Sequence, residues 1–117
     1  MSQFEFSGRF KTGDAEAMSR LLQDALKIEK PRTKEGRTGV EMMFEREGLS
    51  FYCQEVPDPK VPTKYLIEGN MDGSLETVRA RFQQLFKLAG ERGIVCRLDY
   101  SEVDEDGEEI GEPHSFG

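Results

Sequence analysis

Eight carboxylates, Asp99, Glu102, Asp104, Glu105, Asp106, Glu108, Glu109 and Glu112, fall in a stretch that holds no Lys or Arg. Several kinds of chemistry use such groups. A glycosidase-type acid and base need one carboxyl desolvated, so that it keeps its proton near neutral pH. Asp104-Glu105-Asp106-Gly107 instead has the composition of an exposed turn. A calcium loop needs glycine at its sixth position, and counting from Asp104 that position is Glu109. Its flanks also read as strands, where a calcium loop is flanked by helices. Two uses fit a wet, one-sign hairpin: protecting a sheet edge from aggregation, and steering a basic partner into register. These eight residues are the candidate partner-binding set, with no catalytic or metal-binding residue assigned.

Other reactive groups are sparse. The only imidazole is His114, beside Pro113 near the end of the chain, a poor place to hold a base against a nucleophile. Cys53 and Cys96 are the only thiols, each on an apolar strand face. They read as buried, reduced cysteines, with a disulfide between neighbouring strands as the alternative. The sequence contains no CxxC pair and no HExxH. Gly36-Arg37-Thr38-Gly39 lacks the lysine and the strand–loop–helix setting of a phosphate loop. No cofactor is expected.

The 117 residues carry a net charge of -7, with 36% hydrophobic and 33% charged side chains. Nucleic-acid binding relies on Lys and Arg to neutralise phosphates, so direct nucleic-acid contact and anionic membrane surfaces are both disfavoured. A basic protein is the expected partner. No apolar run approaches the roughly 20 residues that cross a bilayer. The N-terminal residues lack the pattern of a signal peptide, so a cytoplasmic location is expected. Lys27, Lys30, Arg32, Lys34 and Arg37 form the only basic cluster. No aromatic residue is interleaved to stack on a base, and the segment reads as a solvated loop after a helix.

Alternating patterns define the elements that must position these groups. Phe4, Phe6, Gly8 and Phe10 form the buried face of a first strand. Asp14 is a helix N-cap, followed by the apolar stripe Met18, Leu21, Leu22, Ala25 and Leu26, and Pro31 ends the helix. Val40, Met42 and Phe44, then Leu49, Phe51 and Cys53, are the arms of a hairpin turning at Arg46-Glu47-Gly48. Tyr65, Ile67, Gly69 and Met71 line another strand, and both Tyr65 and Tyr100 fit core positions. Ser74 caps a second helix with the stripe Leu75, Val78, Phe82, Leu85, Phe86 and Ala89, stopped at Gly93. Ile94, Cys96, Leu98 and Tyr100 line the next strand, and Glu108 to Phe116 read as its return strand.

The predicted fold is α+β: an antiparallel-rich sheet with two helices packed on one face, in the order β-α-β-β-β-α-β-β. A ferredoxin-like variant and a duplicated βαββ unit both fit. The chain reads as one domain, 1–117, with pseudo-repeat halves 1–56 and 64–117 joined by a Pro-rich connector, 57–63. The functional expectation is a small acidic, cytoplasmic, non-enzymatic binding protein, such as an inhibitor, an immunity protein or a DNA mimic. The alternative is a small-ligand or regulatory module with a pocket between sheet and helices. Composition casts no vote on oligomeric state.

Overall fold

A computed structural model describes residues 2–37, 39–57 and 64–117. The elements run β1 (Ser2–Lys11), α1 (Ala15–Leu26), β2 (Arg32–Glu35), β3 (Val40–Arg46), β4 (Leu49–Val56), β5 (Lys64–Gly73), α2 (Leu75–Glu91), β6 (Val95–Val103) and β7 (His114–Phe116). The seven strands form one antiparallel sheet in the order β2-β3-β4-β5-β1-β6-β7. Its middle, β4-β5-β1-β6, interleaves two split units, β1-α1-β4 and β5-α2-β6. This is the ferredoxin-like arrangement. Strands β2 and β3 are inserted between α1 and β4 of one unit and extend that edge of the sheet, whereas β7 folds back from the end of the other. Most of the Pro-rich connector, 58–63, lies outside the described residues.

Sheet and helices share one core. Phe4, Phe10, Met18, Leu21, Leu22, Met42, Tyr65, Val78, Phe82 and Leu85 are wholly buried, and Tyr100 nearly so. Phe82 of α2 packs on Phe6 at 4.9 Å and on Tyr100 at 5.0 Å between ring centroids. Burial of each such side chain is worth roughly 1.5–3 kcal/mol. These side chains form one core between helices and sheet, and a concavity of about 470 Å³ remains at its edge between α1 and β2–β3, lined in part by Ser19, Gln23, Thr33 and Met42.

The caps follow the sequence. Asp14 accepts hydrogen bonds from the amides of Glu16 and Ala17, and Ser74 accepts one from the amide of Thr77. Helix α1 ends earlier than Pro31 requires. Lys27 adopts a left-handed conformation, φ 58°, and its amide donates to the Gln23 carbonyl.

Three local features differ from the pattern-based expectation. Arg32–Glu35, expected as loop, pairs with β3 as an edge strand. All four of its residues are exposed, so no apolar alternation marks it. Leu75, expected in the helical stripe, is 38% exposed at the first turn of α2. The return strand is short: only His114–Phe116 pair with β6, apart from a single bridge between Val103 and Glu109. The pairing skips two residues between those points, and Gly111, at φ 79°, bends the chain there.

Cys53 lies on β4 and Cys96 on β6, with β5 and β1 between them, so a disulfide between neighbouring strands does not form. Burial pushes the Cys53 thiol up to about 12 and the Cys96 thiol up to about 11. Both are expected to resist a thiol-specific disulfide reagent at neutral pH in the folded protein and to react on denaturation. Rapid reaction of either thiol in native buffer would contradict this placement.

Gly69 lies where strands approach closely. A Cβ there would run into the Ser50 carbonyl oxygen and come within 2.8 Å of the Phe51 Cα. Gly69→Ala is expected to lose about 2–3 kcal/mol in chemical denaturation. Gly90 in α2 has nothing within 4 Å of such a Cβ, so Gly90→Ala should gain about 0.5–1 kcal/mol.

Candidate functional site

The face of the sheet opposite the helices is open. Because side chains alternate, the residues between the core positions line it in rows that cross the strands. The central row runs Ser115, Asp99, Ser7, Glu68, Tyr52, Met43, Arg32 from β7 to β2. A shallow concavity of about 780 Å³ lies over this row, lined in part by Glu5, Ser7, Tyr52, Glu68, Asp99 and Glu109.

Charge on this face is divided along the strands. At one end stand Glu5 on β1, Asp72 on β5 and Glu45 on β3. Glu47 follows in the β3–β4 turn, where the Gly48 carbonyl accepts from the Asp72 amide at 2.9 Å. All four acidic side chains are exposed. The turn after β6 joins them: a Cβ on Gly107 would lie 3.9 Å from the Glu5 carboxylate. At the other end, Arg9 lies directly opposite Arg97, and Lys11 directly opposite Lys64.

The eight predicted carboxylates separate into three settings. Asp104 organises the turn. Its carboxylate accepts from the amides of Asp106 at 2.9 Å and Glu108 at 3.0 Å, while its carbonyl accepts from Gly107 at 3.0 Å. Glu105, Asp106, Glu108 and Glu112 are exposed, and Glu102 is half-buried on β6. Glu109 and Asp99 turn onto the open face. Glu109 accepts from the Ser101 hydroxyl at 3.1 Å. Asp99 accepts from the Ser115 hydroxyl at 2.7 Å and from Arg97 at 3.4 Å. The structure therefore brings the turn residues together with Glu109 and sets Asp99 apart, nearer the basic end.

Glu5, Glu47 and Asp72 extend the acidic end and were absent from the predicted set. They sit far from the acidic run in sequence. Their proximity follows from the pairing of β1 with both β5 and β6, which no local pattern encodes.

Other reactive groups are occupied by packing. His114 stacks on Tyr100 at 5.0 Å, and the Tyr100 hydroxyl accepts from Arg79 at 3.4 Å. Cys96 lies four residues along β6 from Tyr100, the residue that pairs with His114. The Tyr52 hydroxyl donates to Glu41, which raises the tyrosine above its ordinary pKa. The Tyr65 hydroxyl donates to Glu55 at 3.1 Å. Burial, then that bond, raises the Tyr65 pKa well above the usual tyrosine range. Among the described residues, no three of His, Cys, Asp and Glu converge to hold a metal ion. Among them, too, no helix is long and apolar enough to cross a membrane.

No protein-family model, curated protein or solved structure matches this chain.

The Ser115 hydrogen bond, and then Arg97 with the more distant Arg9, hold the Asp99 carboxyl below the usual aspartate range, against the opposing effect of partial burial. A depressed folded pKa contributes stability above the unfolded value, and that stability is lost as pH falls through the folded value. An NMR titration of Asp99 should therefore show a midpoint below that of an ordinary aspartate. Ser115→Ala should move it upward. An unmoved midpoint would remove Ser115 as the principal cause.

Proposed function

We propose that the protein is a cytoplasmic, non-enzymatic binding protein that docks the acidic end of its sheet on the basic surface of another protein. An inhibitor that covers a nuclease's basic site, an immunity protein and a mimic of DNA phosphate spacing are concrete forms of this activity. The supporting observation is that the acidic turn is pre-ordered. The Asp104 carboxylate is spent on the turn's own amides, which leaves Glu105, Asp106 and Glu108 exposed on a fixed backbone. Order present before binding lowers the entropic cost of association.

A neighbouring carboxylate strengthens the reading. Glu47, exposed in the β3–β4 turn, continues the same sign beyond the hairpin. Arg46, the last residue of β3, lies over the Phe44 ring at 5.6 Å and pairs with Glu29 at 3.9 Å. A broad field of one sign accelerates encounter with a basic partner and fixes its orientation.

Affinity capture from the source lysate tests the proposal, with wild type and a variant carrying Ser at 104, 105, 106, 108 and 109 as baits. Wild type is expected to retain a basic protein that the variant loses, with retention falling as salt rises. Identical capture by both baits would overturn the proposal.

A further inference from the structure

Docking at the acidic turn leaves the opposite end of the open face unexplained. Like charges placed directly opposite each other destabilise a sheet, yet this end has two such pairs, Arg9 with Arg97 and Lys11 with Lys64. Asp99 answers Arg97 at 3.4 Å and Arg9 only at longer range. Among the described residues, Arg9, Lys11 and Lys64 have no carboxylate within ion-pair distance.

The chain carries the missing counter-charges on the same face, at matching spacing. Ser7 of β1 and Glu68 of β5 are register partners. From Ser7, Arg9 lies two residues one way along β1 and Glu5 two residues the other way. From Glu68, Lys64 lies four residues one way along β5 and Asp72 four the other. A two-fold axis in the plane of the face, crossing the strands through Ser7 and Glu68, exchanges Arg9 with Glu5 and Lys64 with Asp72, and sets Lys11 against Gln3 and Arg97 against Ser101.

We propose that the open face is the contact between two copies of this chain, stacked sheet on sheet about that axis. Arg9 of each copy meets Glu5 of the other, and Lys64 meets Asp72. A two-fold axis along the strands would instead set acid against acid, so the charges select the crosswise one. The contact is isologous and closes as a dimer. Aligned sheets pack about 10 Å apart, which leaves room for both layers of side chains.

Other features of the face agree. Five strands about 4.8 Å apart and eight residues at about 3.4 Å each span roughly 650 Å² per copy. That approaches the roughly 800 Å² per partner of a standard interface. The half-buried Met43, Tyr52 and Leu66 lie on this face, and Val95 stands 65% exposed at its basic end. Asp99 and Glu68 fall on the axis row, opposite their own copies. Asp99 is held by Ser115 and Arg97 on its own sheet. Among the described residues Glu68 has no such hydrogen-bond or ion-pair partner, so it opposes the pairing, as does Glu41, which the axis sets against Glu45 across Met43 of β3.

Sedimentation equilibrium at about 0.15 M salt tests the proposal. Wild type is expected to approach twice the 13.3 kDa chain mass as concentration rises. R9E sets Glu against Glu5 and should weaken association by at least about tenfold, as should E5R alone. The double swap E5R/R9E restores the pairing and should recover association. E68Q should tighten it. These side chains are exposed, and circular dichroism verifies folding of each variant. If R9E fails to fold, K64E with D72K serves as the second swap. A wild type monomeric up to its solubility limit would overturn the proposal, and so would a double swap no better than its single parents. The docking proposal fails separately, since its variant leaves Glu5, Arg9, Lys64 and Asp72 intact.

Discussion

Strand β1 pairs through ten residues with β5 on one side and through nine with β6 on the other. It is where the two β-α-β units interlock. Phe4, Phe6 and Phe10 face the helices from this strand, and Phe6 meets Phe82 of α2. Slipping the strand by one residue would exchange these phenylalanines with Glu5, Arg9 and Lys11, burying charge and exposing rings. The aromatic face therefore fixes the register, and through it every charge on the opposite face. The rows that divide the open face into acidic and basic ends are a by-product of how the core must pack.

That dependence separates what was legible in the sequence from what was not. The long strands were legible because each has one buried and one wet face, as in Phe4, Phe6, Phe10 against Glu5, Arg9, Lys11. The helices were legible because their stripes begin after working caps, Asp14 and Ser74. Strand β2 was not: an edge strand with all four residues exposed leaves no alternation. The acidic turn was legible as a local run, whereas Glu5, Glu47 and Asp72 join it only through pairings between segments far apart in the chain. Arg9 opposite Arg97 is hidden for the same reason, since 88 positions separate them and only the sheet brings them together.

Net charge alone misdescribes such a surface. A value of -7 suggests uniform repulsion of anions and of other copies. The structure instead has an end that attracts cations and an end that attracts anions on one sheet face. Charges more than a Debye length of about 8 Å from a partner are largely screened, so a partner at the surface responds to the local charges rather than to their sum. Orientation then matters as much as total charge in deciding what approaches and how.

The place of β6 in the sheet has a consequence for synthesis. Residues 95–103 flank β1 in the folded protein but are translated long after it. Until they leave the ribosome, β1 has an open hydrogen-bonding edge beside its row of phenylalanines. Such an edge pairs readily with other chains. Pairing between segments far apart in the chain also slows folding. The nascent protein can pair β1 with β5 first, and the other edge of β1 stays open until β6 emerges. The time that edge stays open is then set by how quickly residues 74–103 are made.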